Sequence, residues 1–134
     1  MMMKSVMGLI VAGAAIAATP AVAIDRQPPD AQLAQALEGR VAGEPVDCVD
    51  LRRVRSTRII PGTAILYDAG NTIYVNRPRG GLDRLSQWDT MVTRLYSDRL
   101  CSIDTVQMVD PTSHMLTGIV FLGDFVPYRR ADAN

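Results

Sequence analysis

The chain has one histidine, one tryptophan and two cysteines, and Lys4 is its only lysine. Each scarcity excludes something. Two cysteines and one histidine cannot fill a closed zinc shell without carboxylates, so no metal or other cofactor is expected. Cys48 and Cys101 are far apart and lack the C-x-x-C spacing that tunes one thiol against another for redox work. No G-x-S-x-G elbow occurs. The lone His114 directly follows Ser113, with Asp110 nearby. Sequence neighbours usually point apart, so this trio does not read as nucleophile and base, and no catalytic residue is assigned. Aromatics make up 5% of the chain. Trp88, Tyr96, Phe121, Phe125 and Tyr128 are scattered and read as core packing, not as a stacking platform for sugar or base. Charge is balanced, with a formal net charge of +0, which speaks against a protein that coats nucleic acid. Arg79-Gly80-Gly81 is too short for an RNA-binding RGG tract. There is no internal repeat and no low-complexity tract.

What is present begins with an address. Lys4 supplies a positive n-region and Gly8 to Ala18 a short apolar h-region; Pro20 ends it, and Ala21-Val22-Ala23 is an A-x-A cleavage motif. Residues 1–23 therefore read as a signal peptide, cleaved after Ala23. The remainder carries no second long apolar run, so no membrane span is expected after processing. It is long enough for one domain and too short for two. The expected location is the periplasm or the exterior. In such an oxidising compartment two cysteines are expected to form a disulfide, Cys48 with Cys101.

Along the processed chain, residues 24–45 read as a lead-in plus one helix. Pro28-Pro29 is expected to forbid helix locally, with Asp30 capping a helix that runs to about Val41. Leu33, Leu37 and Val41 recur on one face, and Gly39 is expected to end the helix early. Residues 46–128 read as a β domain. Val46–Leu51 is a first strand holding Cys48, and Pro61-Gly62 suits a type II turn after Thr57–Ile60. Thr63–Asp68 and Thr72–Asn76 form a hairpin around Ala69-Gly70-Asn71. Further strands are expected at 90–96, 103–109 and 117–122, with a loop at 77–89 and a flexible tail at 129–134. Both faces of the hairpin are apolar: Ile65 and Tyr67 on one, Leu66 on the other. A sheet open to water on one side alternates more cleanly, so both faces should be covered. The expected fold is mainly β (α+β): a small curved antiparallel sheet or barrel with one N-terminal helix and one disulfide.

Four segments together carry a resemblance. They are Cys48-Val-Asp-Leu-Arg-Arg-Val-Arg-Ser-Thr-Arg-Ile-Ile, Ile73-Tyr74-Val75-Asn76, Leu100-Cys101-Ser-Ile-Asp104-Thr and Leu122-Gly123-Asp124-Phe125. Over residues 38–128 the chain resembles a group of small exported proteobacterial proteins with no assigned activity. The resemblance implies export and no particular chemistry. Members of that group carry a further cysteine pair, one after the hairpin and one near Val120, which this chain lacks. Their joint absence implies that Cys48 and Cys101 are the pair that remains.

Arginine is the unusual local feature. Arg52, Arg53, Arg55 and Arg58 crowd one segment, and Arg77, Arg79 and Arg84 crowd the loop after the hairpin. Side by side, the two segments would offer fork-shaped donors to phosphate, sulfate or carboxylate, as on an anionic envelope component or an acidic envelope protein. The plainer explanation is a solvated face with salt bridges to nearby aspartates. Asp47, Asp50, Asp104 and Asp124 could supply an acid and base pair to a small envelope hydrolase, but their spacing does not demand it. Asp104 is expected to have a buried structural partner, such as an arginine. The composition fits a non-enzymatic binding or accessory domain best. A carboxylate-dependent hydrolase and a structural component of an envelope assembly are the alternatives, and the last would show an exposed apolar patch.

Overall fold

Pro28 and Pro29 start the helix; they do not forbid it. In the computed structural model, which describes residues 27–132 together with residues 8, 10 and 12–18, α1 spans Pro29–Ala36. Proline is tolerated at the first helical position, where its missing N–H would have no partner anyway. Ala31 and Gln32 donate their N–H groups to the Pro28 carbonyl, at 3.0 and 3.1 Å, so Asp30 lies inside the helix and is not its cap. The helix ends before Val41 because Gly39 turns the chain with φ +73°. The proposed n-region and the cleavage motif at Ala21–Ala23 lie outside the described residues.

Ten strands follow, all paired antiparallel. β1 (Arg40–Ala42), β3 (Ser56–Ile60), β4 (Ala64–Asp68), β5 (Thr72–Asn76) and β10 (Phe125–Arg130) form one sheet in the order β1-β10-β5-β4-β3. β2 (Cys48–Asp50) pairs with β7 (Arg99–Cys101), and β6 (Thr90–Val92), β8 (Thr105–Val109) and β9 (Leu116–Phe121) make a third sheet, with β8 central. The hairpin lies where its turn residues put it. Gly62 takes φ +60° in the β3–β4 turn, where Thr63 N–H reaches the Ile60 carbonyl, and Gly70 takes φ +86° between β4 and β5.

Three expectations change. The strand expected at 90–96 stops at Val92, and β7 appears where none was expected. The first two residues of the expected tail, Arg129 and Arg130, belong to β10, which pairs with both β1 and β5. Pro127 lies inside β10 although proline lacks a ladder donor. Its missing N–H falls on the side of residues 43–46, where Gly43 donates to the Pro127 carbonyl and the neighbouring chain loops out before Val46 rejoins at Phe125.

The five-stranded sheet is covered on both faces, as the hairpin pattern requires. On one side Leu33 of α1 packs onto Ile60, Ala64, Leu66, Ile73 and Val75. On the other, Ile65, Tyr67 and Phe125 meet Val106, Met108 and Val120 of β8 and β9, with Val49 and Leu100 from the β2–β7 ribbon. Tyr67 and Phe125 stack edge to face at 5.6 Å. Burial pushes the Tyr67 phenol well above its ordinary value. The sheets stack in layers and do not close into a barrel.

Two devices hold the layers in register. The first is the disulfide. Cys48 and Cys101 face each other across β2 and β7, with Cα atoms 4.0 Å apart and 53 residues between them in sequence. Ser102 N–H donates to the Asp47 carbonyl and Leu51 N–H to the Asp98 carbonyl. The cysteines therefore occupy a non-hydrogen-bonded pair, where cross-strand side chains approach most closely.

The second is a polar seam. Asn76, fully buried at the end of β5, donates Nδ2 to the Gly123 carbonyl at 2.7 Å and accepts the Gly123 N–H at 2.9 Å. Arg79 N–H donates to the Phe121 carbonyl, and Phe121 N–H to the Gly80 carbonyl. The chain after β5 thus runs along the end of β9 and ties the large sheet to the small one. A Cβ at Gly123 would collide with the Arg77 carbonyl oxygen, and one at Gly81 with that of Ile119.

Two stability effects follow. Replacing both Cys48 and Cys101 by Ser should cost roughly 4 kcal/mol in urea unfolding, the loop-closure value for a loop this long. Asn76→Ala strands the buried N–H and carbonyl of Gly123, and should cost about 2–3 kcal/mol, while Thr57→Ala on exposed β3 stays within about 0.5 kcal/mol.

Candidate functional site

Of the seven arginines, Arg52 and Arg79 are engaged within the fold. Arg52 is clamped between two carboxylates: its Nη2 lies 2.9 Å from Asp50 and its Nε 2.9 Å from Asp98. Arg79 spends its guanidinium on the carbonyls of Leu122 and Ser102, at 2.8 and 3.0 Å. Asp98 and Ser102 flank opposite ends of β7, so these two arginines lie roughly 13 Å apart along the strand direction. Arg55 lies over the β4–β5 turn, its guanidinium against Gly70. Arg84 stacks its stem on Gly118 and lies 3.4 Å from Asp83. Arg58 lines a groove beside α1, and Arg53 and Arg77 are exposed.

The carboxylates are similarly occupied. Asp104 takes the Cys101 N–H at 2.8 Å, a backbone partner where an arginine was expected. That N–H points away from β2, so the carboxylate caps the end of the disulfide ribbon. Asp47 receives the Ser102 hydroxyl and Asp89 that of Thr117. Asp110 accepts the N–H groups of Thr112 and Ser113, both at 2.8 Å, in the exposed turn that carries His114. His114 sits there at φ 59°, a conformation histidine tolerates better than most residues. Among the described residues no three His, Cys, Asp or Glu side chains converge as a metal cluster would. No helix described is long and apolar enough to cross a membrane.

Two shallow grooves are open. One, about 230 Å³, lies between α1 and the β3–β4 pair and holds Arg58 and Asp68. The other, about 220 Å³, lies where β6 stops opposite Gln107 while β8 runs on to Thr105. Arg94, Tyr96, Ile103 and Asp104 line it. Both are smaller than the pockets that enclose drug-sized ligands, and each holds a single carboxylate.

The distinctive surface is the outer face of the β6-β8-β9 sheet. The inner face is spent on the core through Met108, Val106 and Val120. Alternation sends the residues between them outward. Gln107 on the central strand lies in register with Val92 on one side and Ile119 on the other. Thr105 pairs with Phe121, and a bulge between Met108 and Val109 brings Leu116 opposite Val109. Val92, Leu116, Ile119 and Phe121 keep 39%, 55%, 40% and 51% of their surface exposed. Arg94 and Asp104 adjoin Val92, Thr105 and Gln107 in the groove at the end of β6. An antiparallel sheet that faces water normally carries polar residues on its open face. At the rim, Trp88 is 75% exposed and Tyr96 wholly so.

Sequence reasoning missed this face. It assigned Trp88, Tyr96 and Phe121 to the core, and only Phe125 is fully buried, with Tyr128 half-buried against the helix. The unbroken run Ile119-Val120-Phe121-Leu122 was the available signal, since it is apolar on both faces of its strand.

Acid should protonate Asp110 and Asp50 only below the ordinary aspartate range. The Thr112 and Ser113 N–H groups hold Asp110 below the ordinary aspartate value, the Ser113 bond being the larger cause. Arg52 does the same for Asp50, first by its side-chain hydrogen bond. Their contribution to stability is present above the unfolded aspartate value and is lost as pH falls through the lower folded value. In a carboxyl-carbon NMR titration both should protonate at lower pH than an aspartate in an unfolded peptide, and Asp110→Asn should flatten the acid limb of the stability curve. No family model, curated protein or solved structure matches this chain, so its function must be read from these residues.

Proposed function

We propose that the protein is an exported, non-enzymatic accessory domain that works by protein contact, and that the outer face of the β6-β8-β9 sheet is its working surface. The observation that carries this reading is the group of solvent-facing apolar residues on that sheet face. Leaving Leu116, Ile119, Phe121 and Val92 in water forfeits burial energy of roughly 25 cal/mol per Å², and a contiguous patch of this kind marks a contact site more often than an accident. The disulfide supports an oxidising compartment, and the cleavable N-terminal segment and the group the chain resembles supply the route there. The separate carboxylates and small grooves favour binding over hydrolysis. An arginine-lined anion site is the weaker reading, because Arg52 and Arg79 already have partners within the fold.

The test is photocrosslinking in cells that express the full chain. A photoreactive residue at position 119 or 121 should give discrete protein adducts, and one at Gln35 on the exposed side of α1 should give none. Equal yields at all three positions, or no adduct at 119 and 121, would remove the face from consideration.

A further inference from the structure

We infer that the groove between α1 and the β3–β4 pair binds a small zwitterion, a free α-amino acid with an aliphatic side chain. The groove lies on the helix side of the large sheet, away from the contact face, so the inference stands apart from the protein-contact reading.

Register places the charges of the groove. Across β3 and β4, Ser56 is opposite Asp68 and Arg58 is opposite Leu66. Opposed residues and their alternate neighbours share a face, so these four side chains all lie on the helix side with buried Leu66. Arg58 and Asp68 are then diagonal neighbours, roughly 7–8 Å apart and within reach of a long side chain. They could meet in an ion pair and do not. Both line the groove, and the ion pairs among the described residues are elsewhere. Arg40 and Arg55 lie against Gly70 in the next turn and form no ion pair with Asp68 either. Asp68 gives Oδ1 to the Gly70 N–H at 2.7 Å, which orients the carboxylate and leaves Oδ2 without a partner among the described residues.

The two charges select the head of the ligand. A lone cation is repelled by Arg58 and a lone anion by Asp68. A molecule that carries both signs a few ångströms apart satisfies both, its carboxylate on the guanidinium fork and its ammonium on Asp68, with the Ser56 hydroxyl beside it. The floor selects the rest. Leu66 and Ile73 are buried beneath the groove, and Ala36 of α1 lines its side. Such a floor favours aliphatic carbons over a second polar group. At about 230 Å³ the groove is below the range of drug-sized ligands and of the scale of one amino acid. The groove at the end of β6 also holds an arginine and an aspartate, but Tyr96 and Ile103 there stand in water and give it no buried floor. Because Arg58 is exposed and its charge is screened, the expected dissociation constant is roughly millimolar.

NMR titration of the purified, disulfide-bonded protein with L-leucine tests this. The amide signals of Ser56, Arg58, Asp68 and Ile73 should shift and saturate. L-leucinamide lacks the carboxylate, N-acetyl-L-leucine lacks the ammonium and glycine lacks the side chain; each should bind at least tenfold more weakly than leucine. Arg58→Gln should weaken leucine tenfold or more and leave leucinamide unchanged. Asp68→Asn keeps an oxygen for the Gly70 N–H and should weaken leucine equally while leaving N-acetyl-leucine unchanged. Circular dichroism confirms that both variants fold. No saturable shift with leucine at tens of millimolar overturns the inference. Equal affinities for leucine, leucinamide and N-acetyl-leucine, or shifts confined to the groove at the end of β6, overturn it as well.

Discussion

The fold depends on one buried amide. Among the described residues Asn76 is the polar side chain with no exposure at all, and both ends of its carboxamide are used on one residue, Gly123, through its N–H and its carbonyl. The pairing imitates a strand ladder where no strand continues. It fixes the distance between the end of β5 and the turn from β9 to β10, and so decides how the small sheet lies on the large one. Backbone crowding makes that distance short. Gly123 and Gly81 have no room for a side chain, so the layers can approach until Ile65, Tyr67 and Phe125 touch Val106, Met108 and Val120. A half-satisfied amide at such a place costs more than an apolar one, and the arrangement therefore tolerates no partial version.

The disulfide acts at the other edge of the same core. It joins β2, which enters the large sheet through the bridge from Val46 to Phe125, to β7, which leads directly into β8. One device is covalent and half-buried; the other is polar and fully buried. Between them they set a layer order of helix, large sheet and small sheet. The helix closes one side of the stack, and no element of the described chain closes the other. The bare outer face is thus a consequence of where the two clamps act.

Local chemistry was legible in the sequence and long-range register was not. Pro61-Gly62 and Ala69-Gly70-Asn71 announced their turns because the required backbone geometry selects those residues within a few positions. Gly39 likewise announced the end of α1. The apolar residues on both sides of the hairpin correctly implied two covered faces. By contrast, β10 was hidden by Pro127, whose missing donor matters only if one knows that the neighbouring chain detours beside it. Nothing around Asn76 in sequence shows its partner, which is 47 residues away. The arginine segments looked like one patch because sequence shows charges and hides their partners. Arg52 is claimed by Asp98 and Arg79 by Ser102, neither of which is close in sequence. The outer face was invisible for the same reason, since which side of β9 is buried is set by its register with β8 and by the bulge there.

The edges of the sheets narrow the ways in which the chain meets other proteins. Self-association of β proteins most often proceeds edge to edge, through unpaired backbone groups. Here β6 and β1 are only three residues long, β3 carries Arg58 on its exposed stretch, and the edge of β9 is covered by residues 79–81. Short, charged or covered edges are the devices that suppress ribbon-like growth. A chain with such edges meets other proteins through its faces and not by adding strands.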